Sequence, residues 1–445
     1  MTPKVKLILF QYGVTAPLNA AYLAYGLKKA KIDFDLCLCA ADNPRKVLTG
    51  LCRALEDPGA IAAIGCYSDV LPHVLLAVKK IKRKYPEKII ILGGIGPSMV
   101  AEEIISGFKC VDYVIRGCGI VSLPALIWAV RNNRHELAGI RGLVFRKAGR
   151  IVSNRAYEPY ENIPDTPGYS ALKNIKGYRV FLLATSSGCP YQCTFCCASP
   201  ACGKKVVKRS LRDVMSEIRE IKRIKGSRKF RLCIIDEAFI IDRKRVLEFC
   251  SLLRKSKLGL SWTCYGRVDR MDRQLLMAMK NAGCSNIYYG IESGSNSVLK
   301  RIKKGFTIEL AAETLLLSKM YIPEVMASFI YRYPFETLKD FMDTYFYMTY
   351  FRHKDIDVQL HPLMPVKNSE IYRRYKKNLR FREDEQSHCL FGRFADKLPA
   401  ECLKLIKSEP RVFYDHAYYR SKELLNINSF IGRHVEYIYG KSFRV

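Results

Sequence analysis

A chain of 445 residues with 49% hydrophobic content has room for two or three cored domains, which excludes a disordered or fibrous protein. Its 74 basic against 42 acidic residues leave a net charge of +32, a field that attracts nucleic acid, anionic lipid or an acidic peptide, or that merely solvates helix faces. The 17 cysteines are odd in number and scattered, which argues against a disulfide framework and for a reducing cytoplasm.

The first third alternates strand and helix. Apolar runs at residues 5–10, 34–38, 60–65, 88–92 and 113–115 read as strands, with helical patterns at 18–30, 44–55, 70–84, 98–106 and 122–132 between them. Alternation at this pitch predicts an α/β domain over residues 1–139, a doubly wound, Rossmann-like parallel sheet. Such sheets bind ligands at the carboxyl ends of their strands, where Tyr67, Ser68, Gly93, Gly94 and Gly117 fall. The opening residues are too short and strand-like for a signal peptide, and the longest apolar stretch, 61–78, is interrupted by Asp69 and His73, so no transmembrane segment is expected.

Residues 140–176 read as a hairpin followed by a linker carrying Pro159, Pro164 and Pro167. A buried strand at 180–184 then leads through Ser186-Ser187-Gly188 into Cys189-Pro-Tyr-Gln-Cys193-Thr-Phe-Cys196, a C-x3-C-x2-C run. Three thiolates on one short loop can hold three irons of a cubane iron–sulfur cluster and leave the fourth open to a non-protein ligand. A closed zinc site with Cys197 or Cys202 as fourth ligand is the alternative.

Beyond this loop, strands are expected at 230–235, 260–265, 286–290, 325–330 and 356–360, with helices at 210–224, 243–253, 272–282, 295–302 and 338–350. With the strand at 180–184 these make six, a partial TIM-like (β/α)6 barrel over residues 177–365, whose site lies at the strand carboxyl ends. Those ends carry Asp236 and Glu237, then Arg267, then Glu292 and Ser293. Residues 366–445 interleave basic and aromatic side chains with short helical patterns, as a barrel cap or a substrate- or nucleic-acid-docking region would.

The cysteine run, with Phe195 directly before its third cysteine, resembles the signature of the radical S-adenosylmethionine (SAM) enzymes. The resemblance implies a [4Fe-4S] cluster on Cys189, Cys193 and Cys196, with SAM chelated to the open iron through its amino and carboxylate groups. One electron from the cluster then cleaves SAM to methionine and a 5′-deoxyadenosyl radical. It further implies Phe195 beside the adenine, Asp236 and Glu237 next to the SAM amino group, Arg267 on the SAM carboxylate, and Glu292 and Ser293 facing the ribose or amino group.

Leu92-Gly93-Gly94 and Arg116-Gly117-Cys118-Gly119 sit where a large subfamily, with a cobalamin (B12)-binding domain ahead of the barrel, has Leu-Gly-Gly-Pro-His and Arg-Gly-x-Gly-Glu. Here Ile95-Gly96-Pro97 and Ile120 replace the histidine and glutamate, and no Asp-x-His-x-x-Gly offers a lower cobalt ligand. Tyr331-Arg-Tyr-Pro-Phe-Glu-Thr337 keeps a Pro-x-Glu-Thr without the glycines usual beside it.

The expectation is a cobalamin-dependent radical SAM methyltransferase, in which methylcobalamin methylates an unactivated carbon radical. It would work with a flavodoxin- or ferredoxin-type reductant protein on an unspecified small-molecule, lipid or peptide substrate. Rearrangement or cyclisation without methylation is one alternative. Methylthiolation is another, with a second cluster drawn from Cys37, Cys39, Cys52, Cys66, Cys110 and Cys118. A non-enzymatic iron–sulfur or cobalamin sensor gripping nucleic acid is the reading from another class.

Overall fold

The computed structural model describes residues 4–57, 59, 61–132, 137–156, 167, 169, 172, 175–196, 204–381, 398–419 and 421–433. Most of the prolines' linker, Cys197 and Cys202 lie outside them. The chain forms two compact units, Met1–Arg179 with Phe381–His416, and Val180–Arg380 with Ala417–Val445.

The first unit is built on β1 (Val5–Gln11), β3 (Phe34–Ala40), β4 (Ile61–Gly65), β5 (Ile90–Gly93) and β6 (Tyr113–Ile115), with a two-residue strand β2 (Thr15–Ala16) in the loop after β1. The main strands run parallel in the order β3-β1-β4-β5-β6. Counted by position this is 2-1-3-4-5, a doubly wound sheet whose connections change direction between β1 and β4. Ile61-Ala-Ala-Ile-Gly65 is buried at every position, as a central parallel strand covered on both faces must be. Helix Leu71–Lys84 has a proline in its first turn and Lys82, Arg83 and Lys84 in its last, where the helix dipole favours positive charge.

Two features depart from the expected domain plan. The hairpin of β7 (Leu143–Lys147) and β8 (Arg150–Ser153) is no connector: it pairs antiparallel onto β6 and completes the first sheet. The C-terminal region is also not one cap. Its helix Ala400–Ser408 and the turn after it put Leu405, Ile406, Val412 and Phe413 into the core of the first unit, while Lys422–Arg433 belongs to the second.

In the second unit β9 (Val180–Leu183) precedes two short antiparallel strands, β10 (Ser186–Ser187) and β11 (Val207–Lys208). Then come β12 (Arg231–Ile234), β13 (Ser261–Gly266), β14 (Cys284–Glu292), β15 (Glu324–Tyr331) and β16 (Asp357–Pro362). The parallel order β9-β12-β13-β14-β15-β16 follows the sequence, which gives the six-stranded partial barrel. Side-chain caps start its helices: Ser210 accepts the Asp213 amide, Asp242 that of Arg245, Asp272 that of Leu275 and Thr337 that of Asp340. A further helix, Ile308–Tyr321, was not foreseen; its leucines and alanines surround it and draw no single stripe.

Candidate active site

The cysteine loop leaves the carboxyl end of β9 and is tied down at its root by Asp236. That carboxylate, 1% exposed at the end of β12, accepts the Thr185 amide at 2.6 Å, the Thr185 hydroxyl at 2.5 Å and the Ser186 hydroxyl at 2.6 Å. Burial raises its pKa, and these hydrogen bonds pull it back down. Both oxygens accept from the chain itself, so Asp236 holds the root of the cysteine loop. Its neighbour Glu237 accepts the Gly188 amide at 3.2 Å, and Gly188 takes φ +96°, a left-handed turn that favours glycine.

Arg267 also has partners within the chain. Its fork meets both oxygens of Asp269, at 2.9 and 3.2 Å, and Nη2 donates to the Lys304 carbonyl at 2.7 Å. The guanidinium lies 3.6 Å from the centre of the Tyr191 ring, and Arg270 donates to the Tyr191 hydroxyl at 3.0 Å. Tyr191 stands between the first two cysteines, so this pair of arginines clamps the cysteine loop. Tyr191, Glu237, Tyr265, Gly266 and Arg267 line one small crevice of about 30 Å³. Of the strand-end groups nominated from sequence, Glu237 and Arg267 meet there.

The loop is also held by backbone: the Thr194 amide donates to the Ile302 carbonyl at 3.1 Å, and the Ile371 amide to the Thr194 carbonyl at 2.9 Å. Cys189, Cys193 and Cys196 form no disulfide and are each part-exposed. Burial pushes the Cys189 thiol up, while the Tyr191 amide and Arg267 favour its thiolate. Among the described residues no three such side chains gather around a single ion.

At the end of β14, Glu292 adopts φ +77° and pairs with Lys304 at 3.0 Å, both side chains almost wholly buried. The Lys304 ammonium lies 5.9 Å from the Phe195 ring. Ser293 is fully buried, shares a hydrogen bond with Thr344 and accepts the Ser295 amide at 3.1 Å, which fixes the turn. Phe195 also meets Tyr333 edge-on at 6.1 Å, and the hydroxyl of this fully buried tyrosine has no partner among the described residues. Tyr191, Lys304 and Tyr333 were missed from sequence. Only the aromatic between two cysteines offered a signal; the other two reach the loop through the fold.

In the first unit a cavity of about 220 Å³ opens at the carboxyl ends of the strands. Leu9, Gly65, Gly93, Gly94 and Gly117 line it, with Tyr22 from the helix Leu18–Lys29 above. Tyr67 and Ser68 are not part of its lining: their backbone packs on Gly96, where a Cβ would come within 2.6 Å of Tyr67. Gly94, at φ +91°, is needed for the same internal reason, since a Cβ would meet the Cys66 carbonyl at 2.5 Å. Gly117, at φ +74°, is different: nothing lies near its Cβ position, so the backbone there is open to close approach. Ser98 joins the two turns, donating to the Gly94 carbonyl at 2.7 Å and accepting the Gly117 amide at 3.1 Å.

Comparison with known proteins agrees with this geometry. Residues 183–348 match the model of the radical SAM superfamily. The chain is 28% identical over 342 residues to an uncharacterized methyltransferase of Pyrococcus horikoshii, covering 73% of this chain and 71% of that one. It is 31% identical over 277 residues to a protein of Methanocaldococcus jannaschii named for methylthiotransferase activity, covering 60% of this chain and 58% of the relative. Among solved structures, the radical SAM methyltransferase TsrM of Kitasatospora setae, with cobalamin and a [4Fe-4S] cluster bound, superposes with a TM-score of 0.73 at 17% identity, over 96% of this chain and 90% of that one. The likeness to TsrM is one of fold. The stretch that matches the family model, residues 183–348, is the parallel partial barrel whose mouth carries the three-cysteine loop, so this part of the chain is a radical SAM domain, a kind of domain that works with a [4Fe-4S] cluster and SAM.

Proposed function

We propose that this protein is a cobalamin-dependent radical SAM methyltransferase acting on an unactivated carbon. The observation that carries the cobalamin part is the apolar cavity at the strand ends of a 2-1-3-4-5 sheet, where doubly wound domains bind their ligands. At about 220 Å³ it is too small for a corrin ring but takes a flat bicyclic group, such as the benzimidazole tail of cobalamin. Gly93 and Gly117 leave it room, and Leu9 and Tyr22 supply apolar walls.

Cys189, Cys193 and Cys196 would hold the cluster, and Glu237, which lines the crevice beside Tyr191 and Arg267, is the carboxylate we assign to the amino group of SAM. When bound, cluster and SAM supply a carbon-centred radical, and cobalamin supplies methyl transfer. The residues around them orient and exclude water: Arg267 and Arg270 fix Tyr191, while the Glu292–Lys304 pair and Tyr333 wall off Phe195. Methylthiolation is less well supported. Cys37, Cys39, Cys52, Cys66 and Cys110 pack in or against the apolar core; burial pushes up the thiols of Cys52, Cys66 and Cys110, and the hydrogen bond with Cys37, then burial, raises that of Cys39.

Anaerobic reconstitution with hydroxocobalamin, followed by mass spectrometry of the products, tests this reading. Methylation requires both 5′-deoxyadenosine and S-adenosylhomocysteine during turnover. The first without the second would point to rearrangement or cyclisation, and about eight irons per chain instead of about four would point to methylthiolation.

A further inference from the structure

The two backbone hydrogen bonds that hold Thr194 are made with Ile302 and Ile371, both buried; Arg301 and Lys303 flank the first, and Arg373 and Arg374 follow closely after the second. Residues 300–304 read Lys-Arg-Ile-Lys-Lys, and residues 373–377 read Arg-Arg-Tyr-Lys-Lys. Arg301, Lys303, Arg373, Arg374, Lys376 and Lys377 are exposed. Glu370, three residues before the second stretch, pairs with Lys303 at 2.6 Å, and the six exposed basic groups leave the face strongly positive.

Beneath this face runs a continuous row of packed rings. Phe195, in the cysteine loop, meets Tyr333 at 6.1 Å; Tyr333 stacks on Phe335 at 5.8 Å; Phe335 meets Tyr375 at 6.0 Å. The Arg301 guanidinium covers Phe335 at 4.0 Å and that of Arg374 lies 5.6 Å from the Tyr375 ring. Packed atoms thus connect the loop between Cys193 and Cys196 to the positive surface without a gap.

We infer that this face is the docking site of an acidic, low-potential one-electron donor protein, and that the ring row is the packed route from it to the cluster. The inference rests on the radical SAM reading above. Complementary charge over several exposed groups steers association and sets its rate and salt dependence. Nucleic acid fits less well, because the rings here are stacked on one another or covered by guanidinium and offer no open faces to bases. The step balances simply. A flavodoxin hydroquinone, or a reduced ferredoxin, loses one electron and the oxidised cluster gains it; no bond of this chain breaks and no proton moves within it.

The test is anaerobic stopped-flow reduction of the loaded protein by flavodoxin hydroquinone and, separately, by dithionite, at low and high ionic strength. An Arg301→Glu/Arg374→Glu variant is compared with the parent, and Arg301→Gln/Arg374→Gln serves if charge reversal impairs folding. The expected result is a reduction by flavodoxin slowed about tenfold or more at low salt, with its salt dependence diminished, a weaker Kd for oxidised flavodoxin, and an unchanged rate with dithionite. Equal flavodoxin rates in variant and parent overturn the proposal. So does a parallel loss with both reductants, which assigns these arginines to holding the loop, or loss of RNA binding with flavodoxin reduction intact. A parent protein whose dithionite-reduced form fails to cleave SAM would instead sink the radical SAM reading, and this proposal with it.

Discussion

Near the cysteine loop two buried carboxylates are satisfied in different ways. Glu292 has the Lys304 ammonium, whereas Glu336, 1% exposed, has only the amides of Arg332 at 2.7 Å and Tyr333 at 3.3 Å, both on one oxygen. Burial therefore pushes the Glu336 pKa from 4.5 up to about 8. Between those values the folded chain holds a proton that the unfolded chain releases. The stabilisation from the protonated acid is complete below the lower value and is lost as pH rises through the upper one. The slope is at most about 1.4 kcal/mol per pH unit. Glu336→Gln, whose carbonyl still accepts both amides, should flatten this fall in denaturant titrations across the window; a variant with the parent's slope would contradict the assignment. At this scale the three cysteines were legible because their spacing is local. The work of Asp236 and Arg267 was not, because it depends on partners such as Thr185 and Lys304, 51 and 37 residues away in the chain.

Elements are set by pattern and caps, and these are also local. Thr337 and Asp340 form a reciprocal capping box at the start of Leu338–His353: the Thr337 hydroxyl accepts the Asp340 amide, and the Asp340 carboxylate accepts the Thr337 amide. Thr337→Ala should cost about 1 kcal/mol in equilibrium unfolding, and Thr337→Ser should restore most of it. A loss equal in both variants would mean that the threonine methyl, not the cap, is what matters. The strands of both sheets could be read because buried parallel strands are short apolar runs bounded by turns. Ile308–Tyr321 escaped because its apolar residues lie all round the helix, and the two-residue strands β10 and β11 because a pair of residues carries no period.

For the whole molecule, strand–helix alternation made both α/β units legible, while the return of residues 400–416 to the first unit was not, since nothing local marks which core Leu405 and Phe413 complete. Each contributes roughly 1.5–3 kcal/mol there by burial. Charge was legible as a total of +32 but not as a face; only the fold brings residues 300–304 and 373–377 to the same loop. The second unit carries the chemical premise of the proposed function: three thiolates for a cluster whose open iron would take SAM. The most direct test is 5′-deoxyadenosine formation and iron content in the anaerobically reconstituted protein, beside the C189A/C193A/C196A variant. The parent should hold about four irons and cleave SAM under a reductant, and the variant should do neither. A variant that kept its iron and still cleaved SAM would contradict the account.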